Sequence, residues 1–162
     1  APATAAPGGT VKVGAYLFGG VGRGKTMLMG LLHEAAVGQG GIQSQRRHYH
    51  EFMIDVHRRL HAARHLADPM ASVGDTIAGE ARLLCLDEMD VTDIADALVV
   101  KRLLERVAES GCALVVTSNR APEEQYKDGL NRKLFEPFIG FLRERCEVVS
   151  LDPPGQEWEG RD

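Results

Sequence analysis

Cysteine is scarce in this 162-residue chain and forms no pattern. Cys85, Cys112 and Cys146 make no C-x-x-C pair and no metal framework. All three fall in apolar, strand-like runs, so they are expected to be reduced core thiols in an intracellular compartment. Long apolar runs are also missing: none approaches the roughly 20 residues needed to cross a bilayer. The opening APATAAPGGT has neither a basic leader nor an apolar segment behind it. Nor is there an excess of positive charge. A formal net charge of -4 and a pI near 5.9 give no general attraction to nucleic acid or to acidic membranes.

What is present is 44% hydrophobic residues, enough for one compact domain with a core. Residues 1–10 and 153–162 are small, Pro-containing or densely charged and are expected to be disordered tails, leaving 11–152 as the folded domain. The stretch that organises it is Gly19-Gly20-Val21-Gly22-Arg23-Gly24-Lys25-Thr26. Its G-x-x-x-x-G-K-[ST] spacing lets backbone N–H groups turn inward on a phosphate while Lys25 supplies positive charge. Val11 to Phe18 reads as a buried strand and Thr26 to Ala36 as a helix. The loop therefore has the strand-to-helix frame that the motif requires, with phosphate at a helix N-terminus.

Further along, Gln45 to Tyr49 reads as a strand and Glu51 to His65 as a helix. Phe52, Val56 and Leu60 form its apolar stripe. His57, His61 and His65 repeat every four residues beside it, near His48 and His50. Arg58, Arg59 and Arg64 make that face a solvated basic surface, and supporting ligands are missing, so it is not read as a metal site. Asp68-Pro69 reads as a turn, followed by a short helix over 72–80.

Arg82-Leu83-Leu84-Cys85-Leu86-Asp87-Glu88 is a doubly buried strand delivering two acids to the end of a sheet, the Walker B form. Downstream of a complete phosphate loop, Asp87 is suited to hold Mg²⁺ and Glu88 to accept a proton from attacking water. A helix follows from Asp93 to about Glu109, with Gly111 as its stop. Asp93 and Asp96 are ordinary first-turn acids. Cys112 to Asn119 is another buried strand, and its polar end makes Asn119 a candidate to orient water or contact a γ-phosphate. Read without that context, Asn119-Arg120 only begins a turn. A helix is then expected over 132–143, broken or restarted near Pro137, and a last strand near Cys146 to Leu151.

The blocks YLFGGVGRGKTMLM, HYHEFMIDVHRRLH, ARLLCLDEMDVTDIADAL, VVTSNRAPEEQYKDGLNRKLFEPFI and EVVSLD resemble those of the ZapE-like AAA+ ATPases, also called ATPase-family-gene-one-like proteins. The resemblance covers about Gly14 to Asp152. It implies a three-layer α/β P-loop NTPase of AAA+ type with a largely parallel five-stranded sheet. It also implies Mg²⁺-dependent ATP hydrolysis coupled to conformational work on a protein client.

In that reading Gly19 through Thr26 hold ATP, Thr26 and Asp87 hold Mg²⁺, Glu88 and Asn119 act in hydrolysis, and Arg132, with Arg120 second, supplies an arginine finger to a neighbouring copy. It implies a homo-oligomer for full activity, no specific nucleic acid, membrane association only through partners, and roles in bacterial division or mitochondrial protein quality control. The implied compartment is mitochondrial in a eukaryote and cytoplasmic in a bacterium. The chain departs from the family pattern at Met89 and Asp90, where an aromatic and a Gln are usual. The helical lid is expected to be absent, so a non-catalytic nucleotide-binding scaffold or a lidless fragment is the alternative.

Overall fold

The computed structural model describes residues 11–153. Apart from Pro153, the expected tails lie outside that range. Five short strands carry the domain: β1 (Gly14–Phe18), β2 (Ser44–His48), β3 (Leu83–Asp87), β4 (Ala113–Ser118) and β5 (Cys146–Ser150). They form one sheet in the order β2-β3-β4-β1-β5, and every pairing is parallel. Parallel strands need crossover connections. Here these are α1 (Lys25–Gly38), α2 (Tyr49–Ala62), α3 (Pro69–Glu80), α4 (Ile94–Glu109) and α5 (Arg132–Arg145).

Alternation along the strands divides the core into two layers. Tyr16, Leu84, Leu86, Leu114 and Val116 face the large cluster containing Phe52, Val56, Leu103, Leu104, Phe138 and Leu142, so α2 to α5 share one face. Leu17, Cys85 and Val115 point the other way, against Met29 of α1. The result is the expected three-layer α/β architecture with its two helical layers unequal. α1 packs over β2, β3 and β4, while Ala113, Glu147 and Val149 stay exposed on its side of the sheet. Truncating a fully buried ring such as Phe138 to Ala would cost about 3–5 kcal/mol.

Several element limits differ from the sequence reading, and three differences have a clear physical reason. The second helix starts at Tyr49 because the His48 side chain accepts the His50 amide, ending β2 and capping α2 in a single residue. Asp68-Pro69 opens α3 instead of forming a separate turn: Asp68 caps the Ala71 amide and Pro69 occupies a first-turn position, where its missing N–H costs nothing. α5 runs unbroken through Pro137, held by buried Phe135, Phe138, Phe141 and Leu142. The three cysteines are free and buried, and desolvation pushes the Cys112 and Cys146 thiols up to about 11.

Candidate functional site

The C-terminal ends of β1, β3 and β4 bring the motif residues to one edge of the sheet, the place where open parallel sheets bind ligands. The loop after β1 takes left-handed backbone at Gly22 and Gly24, with φ of 82° and 83°. A side chain is disfavoured at both positions. α1 then begins with no side-chain cap and no acid in its first turn, which leaves its first N–H groups to an anion. Lys25 is buried, and its ammonium donates to the carbonyls of Gly19 at 2.6 Å and Gly20 at 2.8 Å. Desolvation holds its pKa below the ordinary lysine value, opposed by the charges of Asp152 and Glu88.

Lys25 and Thr26 line a cavity of about 190 Å³ together with Val21, Gly22, Gly24, Glu88, Thr117 and Asn119. Residues from the phosphate loop, β3 and β4, separated in sequence, therefore face one space. Gly19, Gly20 and Arg23 lie just outside it, where Asp152 Oδ1 accepts from the Gly20 amide and from Arg23 Nε.

Asp87 ends β3. Its Oδ2 accepts from Arg46 Nε at 2.6 Å, and Arg46 Nη2 donates to the Thr26 carbonyl at 3.2 Å. Arg46 on β2 thus ties the two candidate metal ligands together. No motif pointed to it, because its role arises only from the β2–β3 register, in which Arg46 sits beside Cys85. A hydroxyl and a carboxylate are hard oxygen donors of the kind Mg²⁺ prefers, so Thr26 and Asp87 fit that ion.

Glu88 has φ of 57°, a left-handed backbone that costs a non-glycine residue about 1–3 kcal/mol. Its amide donates to Thr117 Oγ1, and its Oε2 lies 2.9 Å from His48 Nε2. The turn also places Glu88 on a second cavity, of about 360 Å³, with His48, Tyr49, His50, Asp90, Asn119 and Arg120 among its lining. Asn119 borders both cavities.

The two candidate arginine fingers stand differently. Arg120 lines the larger cavity and its Nε is 3.7 Å from Asp90 Oδ1. Arg132, the first residue of α5, lines neither cavity. It donates to the Glu123 carbonyl at 2.7 Å and lies over the Phe135 ring at 5.5 Å. Among the clustered histidines, His57 bonds Asp96 at 2.7 Å, linking α2 to α4.

A phosphate loop between β1 and α1, paired acids closing β3 and a polar end to β4 on a 2-3-4-1-5 sheet define a P-loop protein of AAA+ type. The sequence profile of the AFG1-like ATPase family matches residues 6–156, and the chain belongs to that family. It is 45% identical over 150 residues to lactation elevated protein 1 homolog B of Danio rerio, covering 86% of this chain and 29% of that protein. It is 40% identical over 139 residues to the cell division protein ZapE of Escherichia coli strain K12, covering 86% of this chain and 36% of that protein. The chain thus spans about a third of the length of these relatives. In fold it is similar to the replication initiator DnaA bound to AMPPCP and single-stranded DNA, with a TM-score of 0.64, 16% identity, and coverage of 89% of this chain and 41% of that chain.

Proposed function

We propose that this domain binds ATP with Mg²⁺ and hydrolyses it, and that in the assembled protein hydrolysis drives conformational work on a client protein. The observation that carries the reading is the shared cavity: Lys25 and Thr26 face the same space as Glu88 and Asn119. In this reading Lys25 gives up its Gly19 and Gly20 carbonyls for the β/γ-phosphate oxygens, and the loop amides from Gly22 onward cradle them. Thr26 and Asp87 hold Mg²⁺, which when bound supplies charge neutralisation at the phosphates. Glu88 takes a proton from the attacking water and Asn119 orients that water. Arg132 or Arg120 adds positive charge at a neighbour's phosphoryl group in a homo-oligomer.

The family resemblance supports a client in cell division or in mitochondrial protein quality control, with the matching bacterial or mitochondrial compartment. The decisive test is Lys25→Ala, which should abolish binding of a fluorescent ATP analogue. Unchanged affinity would overturn the nucleotide assignment. A second reading, a nucleotide-binding scaffold without turnover, draws on the His48–Glu88 bond, which engages the candidate base. Affinity and turnover measured separately divide the two.

A further inference from the structure

Gln125 is fully buried in the loop that follows β4, and nothing in the motif reading assigned it a role. Every polar atom of its amide is used. Oε1 accepts the Val91 amide at 2.8 Å. Nε2 lies 2.9 Å from Tyr16 Oη, 2.8 Å from Ser118 Oγ and 3.0 Å from the Met89 carbonyl. Two amide hydrogens serve three acceptors, so one bond is shared. The hydroxyls continue outward: Tyr16 Oη donates to the Arg120 carbonyl at 2.6 Å, and Ser118 Oγ donates to the Met89 carbonyl at 2.7 Å and accepts the Arg120 amide at 3.1 Å. Burial pushes the Tyr16 hydroxyl up to about 12, so it remains a donor at neutral pH.

This network grips two segments from either side. Glu88 and Met89 are held by their amides to Thr117 Oγ1 and the Thr117 carbonyl, and the next turn is held through Met89 and Val91 to Gln125. Asn119 sits between Ser118 and Arg120, both of which belong to the same network. Glu88 has left-handed backbone, a conformation that a non-glycine residue keeps where its surroundings hold it on several sides.

We propose that Gln125 is a positioning residue: it locks the Glu88 turn to the Asn119 loop and so fixes the base and the water-orienting amide relative to each other. The inference rests on the ATPase reading proposed above. A buried, fully satisfied polar network of this kind specifies a single arrangement, and loss of its hub strands the Val91 amide and leaves the hydroxyls of Tyr16 and Ser118 bonded only to Arg120 and Met89.

The test compares Gln125→Leu and the isosteric Gln125→Glu with the wild-type chain at a temperature where circular dichroism finds all three folded. For Gln125→Leu, kcat should fall about 10- to 100-fold with ATP-analogue affinity within about threefold, the split expected when only a positioned general base is disturbed. Exchange of the Val91 amide with solvent should quicken at least about tenfold. Gln125→Glu keeps the Val91 acceptor and should keep Val91 protected while losing part of kcat. If Gln125→Leu does not fold, the Gln125→Glu variant carries the kinetic comparison. An unchanged kcat with faster Val91 exchange would make the network structural only and overturn the proposal, as would unchanged exchange. A wild-type chain that binds nucleotide but never turns it over defeats the ATPase reading and the kinetic claim with it, while the exchange comparison still decides the tether.

Discussion

Asp152 Oδ1 accepts the Gly20 amide at 2.9 Å, so the residue just past β5 fastens the start of the phosphate loop. The carboxylate is nearly buried, its side chain 7% exposed, and Arg23 shares the same oxygen. Asp152→Ala should cost about 1–3 kcal/mol of stability by stranding the amide. Asp152→Asn, which keeps an oxygen acceptor, should lose much less. Equal losses in thermal unfolding would mean that the charge matters and the tether does not.

Glu88→Gln should keep ATP bound and slow hydrolysis by about 10²–10⁴, the usual share of a positioned base. Turnover at the wild-type rate in this variant, together with none in Asp87→Asn, would require the two acids to exchange roles.

Arg132 and Arg120 can be separated by mixing subunits. An Arg reaching a neighbour's phosphoryl group is worth about 10³–10⁵ in rate. Arg132→Ala should leave ATP-analogue affinity nearly intact and remove most turnover. Combined with Lys25→Ala, it should recover activity as an intact pocket meets an intact Arg132. No recovery despite co-assembly, with the loss instead appearing in Arg120→Ala, would assign the role to the arginine that already lines the larger cavity.

Asp75 joins α3 to α4. Hydrogen bonds from Arg106 and Ser110 hold its carboxyl at about 2, below the ordinary Asp value of about 4. A carboxyl depressed in the folded state adds stability above its unfolded value, and that stability is lost as pH falls through the folded one. Asp75→Asn should therefore flatten the decline in stability between about pH 4 and pH 2. The difference should shrink in high salt because the pair is exposed. Identical acid-unfolding curves would remove the pair from the account.

The phosphate loop, the acidic end of β3 and the polar end of β4 were legible in the sequence because each is a local run whose chemistry and strand-to-loop frame coincide. Gln125 was not legible: its partner Tyr16 lies 109 residues away, and a lone Gln after a Pro-containing loop carries no periodicity. Arg46 was hidden for the same reason, since its partner Asp87 is set by strand register. The unequal helical layers also escaped the sequence reading. Apolar spacing announces that a helix is amphipathic, whereas the sheet face it takes follows from crossover handedness and strand order. The boundary shifts at Tyr49 and Pro69 come from caps doing two tasks at once.

The position of β1 also bears on time. Gly14 pairs with Leu114 on one side and Cys146 on the other, so the strand that feeds the phosphate loop finds its first neighbour only after α4 and its second only after α5. Contacts this far apart in sequence carry a large loop-closure cost and form slowly. The β2–β3 pair and helices α2 to α4 can assemble from nearer segments. The frame that holds the phosphate loop is therefore complete only once β4 and β5 have both docked against β1.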